Sequence, residues 1–214
     1  PEEGARSNQA LRLPAGLGSH LPKLFRAWGL KFDRDKVLGD LKAGQRVQAG
    51  VDSFGRPIIT RYVAWTSYGP ENLNTEDVTL AQLRLLNFGT PGYLEVEKDA
   101  TTTVTPLITS TEASGPFDAN SVRRNPQPAE ILRKFKPQNK TYILAARVTG
   151  KAKTAFPDGL PKEDKKKDDK DAKDEAEKIK PKPHISESPE PLNLIVVADT
   201  DFIADLFWLQ TQDL

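Results

Sequence analysis

The most constraining feature of this chain is the apolar run Leu192-Asn-Leu-Ile-Val-Val-Ala198, followed without a break by Asp199-Thr-Asp201. A nearly continuous apolar run of strand length is what a strand covered on both faces looks like, and such strands typify parallel sheets flanked by helices. Phe202, Ile203, Leu206, Phe207 and Leu209 come next, a spacing that predicts a helix leaving the strand directly with those side chains inward. In an open sheet of this kind the functional crevice lies beyond the carboxyl ends of the strands, here at Asp199 to Asp201.

The same local chemistry organises the rest of the chain. Ser19 predicts the N-cap of a short helix with Pro22 in its first turn, Leu21, Leu24, Phe25 and Trp28 on one face, and Gly29 as its stop. Val37 to Asp40 predicts a brief buried strand, and the β-branched and aromatic stretches 46–51 and 57–65 predict a hairpin across Asp52-Ser-Phe-Gly-Arg56. Asn74 or Thr75 predicts the cap of a helix through Val78, Leu80, Leu83 and Leu86, ending near Gly89. Strands are predicted over 93–97, 102–109 and 141–148, and a helix from Pro128 to Pro137 holding Ile131, Leu132 and Phe135. Together these elements predict an α/β fold: a mainly parallel open sheet with an inserted antiparallel β region at about 44–110. Residues 19–161 and 183–214 are expected to form its single domain, after a flexible lead-in over 1–18.

One segment stands apart. Between Lys162 and Lys182 there are 9 Lys and 8 Asp or Glu, without the apolar stripe a helix needs to pack on a core. Pro181, Pro183, Pro189 and Pro191 stiffen its exit. The expectation is a disordered charged insertion between two strands, with a charged docking arm as the second reading. Outside this block basic and acidic residues are equal in number. A neutral body lacks the basic face that a phosphate backbone requires, so nucleic acid is not an expected partner.

With no Cys and only His20 and His184, thiol nucleophiles, iron–sulfur clusters and Cys-based zinc sites are excluded, and no metal site or cofactor is predicted. Gly16-Leu-Gly-Ser-His-Leu21 starts like a dinucleotide fingerprint, but Leu21 stands at the third glycine and Pro14 interrupts the strand that should feed the turn. The remaining candidates are Asp199 and Asp201, where magnesium-dependent enzymes keep carboxylates, and Arg147 with Asp158 of the Phe156-Pro-Asp-Gly159 turn as the lining of a groove. Each has an ordinary structural alternative: Asp201 as a helix cap, Asp199 satisfying loop amides, and Asp158 as turn chemistry.

No stretch approaches the roughly 18 consecutive apolar residues that span a bilayer. The chain starts at Pro1, contains no Met and stops at Leu214, which predicts a segment of a longer polypeptide.

Several phrases taken in order carry a resemblance. Leu24-Phe-Arg-Ala-Trp-Gly-Leu-Lys-Phe-Asp33, Lys36-Val-Leu-Gly-Asp40 and Leu86-Asn-Phe-Gly-Thr-Pro-Gly92 are followed by Tyr142-Ile-Leu-Ala-Ala-Arg-Val-Thr-Gly150, Ala155-Phe-Pro-Asp-Gly159 and Asn193-Leu-Ile-Val-Val-Ala-Asp-Thr-Asp-Phe202. The set resembles the extracytoplasmic auxiliary component of ABC-type transport systems, of the kind associated with gliding motility, over most of residues 20–214. That resemblance implies a periplasmic domain of glutamine-amidotransferase-like, flavodoxin-like fold in a membrane-anchored parent, used for interaction and not for catalysis. It implies permease and ATPase subunits as partners, and brings no catalytic or ligand residues with it. The expected function is a non-enzymatic binding module for partner proteins, a protein cargo or an envelope polymer such as a glycan. The alternative is a metal-dependent hydrolase or phosphotransfer enzyme using Asp199 and Asp201.

Overall fold

Strands make up most of the regular secondary structure among the described residues, as the β-branched and aromatic runs of the chain favour. The computed structural model describes residues 21–123, 126–159 and 184–208. The lead-in over 1–18, Ser19, most of the Gly16–Leu21 phrase, the 162–182 block and Leu209 lie outside the described residues. In chain order the elements are α1 (Pro22–Ala27), β1 (Leu30–Phe32), β2 (Lys36–Asp40), β3 (Gly44–Val51), β4 (Pro57–Tyr68), β5 (Leu86–Gly89) and β6 (Leu94–Val96). There follow β7 (Thr103–Thr109), β8 (Ser114–Asp118), α2 (Asn120–Arg123), α3 (Pro128–Lys134), β9 (Ile143–Gly150), β10 (Leu192–Val197) and α4 (Asp205–Trp208), with 3-10 turns at Pro70–Asn72 and Asp201–Ile203.

Among the described residues there is no parallel open sheet. The strands form a five-stranded sheet in which β9 pairs with β10, β6 and β7 while β6 carries β1, a two-stranded sheet β2-β8 and a three-stranded sheet β3-β4-β5. Every pairing is antiparallel. The glutamine-amidotransferase-like, flavodoxin-like α/β expectation is therefore overturned in favour of a mostly β architecture. β6 and β7, from within the 44–110 stretch, are strands of the same sheet as β9 and β10. A parallel connection needs a crossover over the sheet face, usually helical. The segment joining β9 to β10 carries a polar, charged sequence with no apolar face to pack in that way, and β10 returns antiparallel from Leu192↔Gly150 to Val197↔Ala145.

The central strand is β9, not β10. Residues 145–149 of β9 pair with β10 on one side and β7 on the other, and Leu144, Ala146 and Val148 have no exposed surface. Among the described residues β10 pairs only with β9, so it is an edge strand, with Asn193 and Ile195 exposed. Its apolar run has a different cause from the one expected. Leu194 and Val196 pack with Leu30, Leu94 and Val148 in one cluster, whereas Val197 packs on the cluster of Leu38, Tyr68, Phe88 and Leu144. A third cluster joins Val37, Val63, Ala64 and Ile131 under α3.

α1 starts with Pro in its first turn and α3 buries Ile131, both as expected. Gly29 ends α1 at φ +78°, where an added Cβ would lie 2.6 Å from Ala100 and Thr102, so backbone conformation and space both demand glycine. The helix expected from Asn74 to Gly89 is absent. Asp77 accepts from the backbone N–H and hydroxyl of Thr79 at 3.0 and 2.6 Å, so its side chain competes locally with helical hydrogen bonding. A series of turns results, leaving Val78 86% exposed, and residues 86–89 become β5 against β4. Among the described residues the expected final helix is represented by a 3-10 turn and α4, with Ile203 and Leu206 exposed and not inward as expected. Among the described residues no helix is long and apolar enough to cross a membrane.

Candidate functional site

Beyond the last residue of β10 the backbone hydrogen-bonds to both sides, Ala198 N–H donating to Leu144 and its carbonyl accepting from Gly92. This anchors Asp199 beside β5. One carboxylate oxygen of Asp199 accepts from the Gly89 N–H at 2.9 Å and the other from the Asp201 N–H at 2.8 Å. Asp201 accepts a long bond, 3.4 Å, from the Thr90 hydroxyl. Thr90 has φ +57°, unusual for a β-branched residue, and its N–H donates to Ala64.

Burial pushes the Asp199 carboxyl up to about 7, opposed by the backbone hydrogen bonds and reinforced by the neighbouring Asp201 charge. Asp201 is raised too, by burial. The segment that follows closes over them: Phe202 stacks on Phe88 at 6.0 Å, Phe207 meets Trp65 edge-on at 5.6 Å, and the Asn87 amide donates to the Phe207 carbonyl at 3.1 Å. The pair thus joins β5, β10 and the final turn. Asp201 lies inside the 3-10 turn, whose N-cap is Thr200 with no side-chain bond, so the expected helix cap is not formed. Among the described residues no group of three or more His, Asp or Glu is placed to hold a metal ion.

Gly89 is the tight point of this junction. An added Cβ would lie 2.5 Å from the Phe207 ring and 3.0 Å from the Asp201 Cβ. Gly89→Ala is expected to lever Phe207 off Trp65 at a cost of about 1–3 kcal/mol. An unchanged denaturation midpoint with unchanged Trp emission would show that the ring merely swings aside.

Arg147 and Asp158 form no hydrogen bond or ion pair with each other among the described residues. Arg147 makes a two-pronged pair with Asp77, at 2.7 and 2.8 Å, and donates to Asn193 at 2.7 Å. The Arg147 guanidinium and the Thr79 donors hold the Asp77 carboxyl well below the usual carboxylate range. Asp158 is exposed in a turn closed by the Gly159 N–H on the Phe156 carbonyl, so the turn reading holds.

The comparisons with known proteins bear on what this arrangement serves. A family model described as an ABC-type uncharacterized transport system matches residues 2–214. The chain belongs to that family. It is an auxiliary component of an ABC-type transport system, which implies transporter partners. Comparison with curated proteins and with solved structures found no match.

Two features of this auxiliary component escaped the sequence reading. Asp40 is completely buried and accepts from the backbone N–H groups of Lys42, Ala43 and Thr111 and from the Thr111 hydroxyl. The second is an arm. From Gln48 to Ile59 every residue except Asp52 is exposed, including Val51, Phe54, Ile58 and Ile59. The hairpin was legible as strands and a turn, but β-propensity says nothing about whether a ribbon is covered.

Proposed function

We propose that this auxiliary component is a non-enzymatic, extracytoplasmic binding module that joins the permease and ATPase subunits of its transport system to a protein cargo or an envelope polymer. The observation that carries this reading is the engagement of Asp199. Both of its oxygens accept from backbone amides that hold the sheet junction together, so its chemistry is spent on structure. Arg147, the one cationic candidate from the sequence, is occupied by Asp77 and Asn193. What remains for recognition of proteins or polymer is surface, notably the exposed margin of β10 with Asn193 and Ile195.

Two measurements test this. Crosslinking in native membranes is expected to recover permease or ATPase subunits with the chain. Magnesium or manganese is expected to leave Tm unchanged, because ligand binding to the folded state alone would raise it. A metal-induced rise abolished by Asp199→Asn would overturn the reading in favour of a carboxylate-based hydrolase or phosphotransfer enzyme, for which the elevated Asp199 is the right kind of group.

A further inference from the structure

The β3–β4 ribbon leaves the body at about Gln48 and Ile59 and turns at Asp52-Ser-Phe-Gly-Arg56, closed by Asp52 N–H to Arg56 and Gly55 N–H to Asp52 with Gly55 at φ +77°. A Cβ added at Gly50 or Gly55 would meet nothing within 4 Å, so the tip stands clear of the rest of the protein. At strand rise this places the turn about 10–15 Å beyond the body.

Apolar side chains cover this arm in a peculiar way. Neighbouring residues of a strand face opposite sides, yet Ile58 and Ile59 are 45% and 56% exposed, Val51 is 59% exposed on the other strand, and Phe54 at the turn is 81% exposed. Both faces and the tip are therefore apolar and wet. A flat protein partner covers one face of a ribbon, whereas immersion in a fluid apolar medium covers both at once. The charges agree with this. On the arm itself and at its root, Arg46 and Arg56 stand against Asp52 alone, Arg61 being held to the body by the Leu41 and Lys42 carbonyls; Asp52 is paired with Arg56 at 2.8 Å, which lowers the cost of moving it out of water. Arg46 is exposed and forms no ion pair among the described residues.

We propose that the β3–β4 arm is a membrane-docking element that inserts Phe54, Val51, Ile58 and Ile59 into the headgroup–acyl boundary of a bilayer containing anionic lipid, with Arg46 at the phosphate level. Interfacial elements reach roughly 5–10 Å into that boundary, within the length of the arm, and interfacial Arg side chains extend toward the headgroups while their stems stay apolar. This contact is separate from the subunit contacts proposed above and does not depend on them.

The test uses the whole chain and vesicles of phosphatidylcholine alone or with added phosphatidylglycerol. The expected result is co-sedimentation with the mixed vesicles that weakens in high salt and falls at least about tenfold in the double variant Phe54→Ser, Ile58→Ser. These side chains are exposed, so the variant should keep the parent's Tm and far-ultraviolet spectrum. Because the chain has no Cys, Ser53→Cys supplies a single thiol for an environment-sensitive dye, whose emission should shift to the blue on vesicle addition. Absence of co-sedimentation, binding unaffected by the double variant, or a dye that responds only to a protein of the transport complex would each overturn the proposal.

Discussion

Asp40→Ala is expected to lower stability by about 3–5 kcal/mol, a fall in Tm on the order of 10 °C for a domain of this size. Asp40 has no exposed surface and lies at the end of β2. One carboxylate oxygen accepts from the Lys42 and Ala43 N–H groups and the Thr111 hydroxyl, at 2.9, 3.0 and 2.7 Å. The other accepts from the Thr111 N–H at 2.8 Å and lies 3.5 Å from the Tyr68 hydroxyl. Alanine leaves these donors facing a cavity. Next to it the Ser110 hydroxyl accepts from the Tyr142 N–H and the Ser114 hydroxyl donates to the Lys140 carbonyl, 2.7 Å apart from each other. The loss would therefore fall on the joint between the β2-β8 sheet and the sheet centred on β9. Asp40→Asn keeps one acceptor and should fall between the two. A loss below about 1 kcal/mol, read from urea midpoints at constant m-value, would mean that water replaces the carboxylate.

The second large effect is a dependence of stability on pH. Asp199 has an ordinary carboxyl pKa near 3.8 when unfolded and about 7 when folded, so between these values the native state binds more protons and stability must decline as pH rises. Its contribution is full below about pH 4, is lost through about pH 7, and is flat above; the difference is about 2–4 kcal/mol. Asp77 acts with the opposite sign. Its carboxyl is held down by Arg147 and Thr79, so its contribution is present above about pH 4 and lost as pH falls further. The two windows therefore separate. Asp199→Asn should flatten the slope between pH 4 and 7 while adding a pH-independent loss, because an amide NH₂ would face the N–H of Gly89 or Asp201. An Asp199→Asn slope equal to the parent's would show that the carboxyl titrates as though in water.

Much of the fold was written in local chemistry. Gly29 could be recognised as a helix stop from its place after an amphipathic turn, and the β3–β4 hairpin and α3 from β-branched runs, a Gly-containing turn and Pro at a helix start. These depend on a few adjacent residues and survive any tertiary context. The 74–89 stretch failed because Asp77 looks like a helix-start acid, whereas its side chain is claimed by Thr79 and by Arg147 on a distant strand. The candidate site was legible as a pair of acids after an apolar run. Its partners, Gly89 and Thr90, lie more than a hundred residues earlier.

What the sequence by itself determined was where most of the strands form, β5 and β8 excepted, that Cys-based chemistry is closed to this chain, and, through its ordered phrases, its family. Only the tertiary structure decided the direction and neighbours of each strand. An apolar run speaks only to the faces of a strand, one of which is wet here at Asn193 and Ile195, whereas hydrogen bonds run in the plane of the sheet. Leu192 to Ala198 therefore read the same at an antiparallel edge as in a parallel centre, and only the ladder to β9 distinguishes the two.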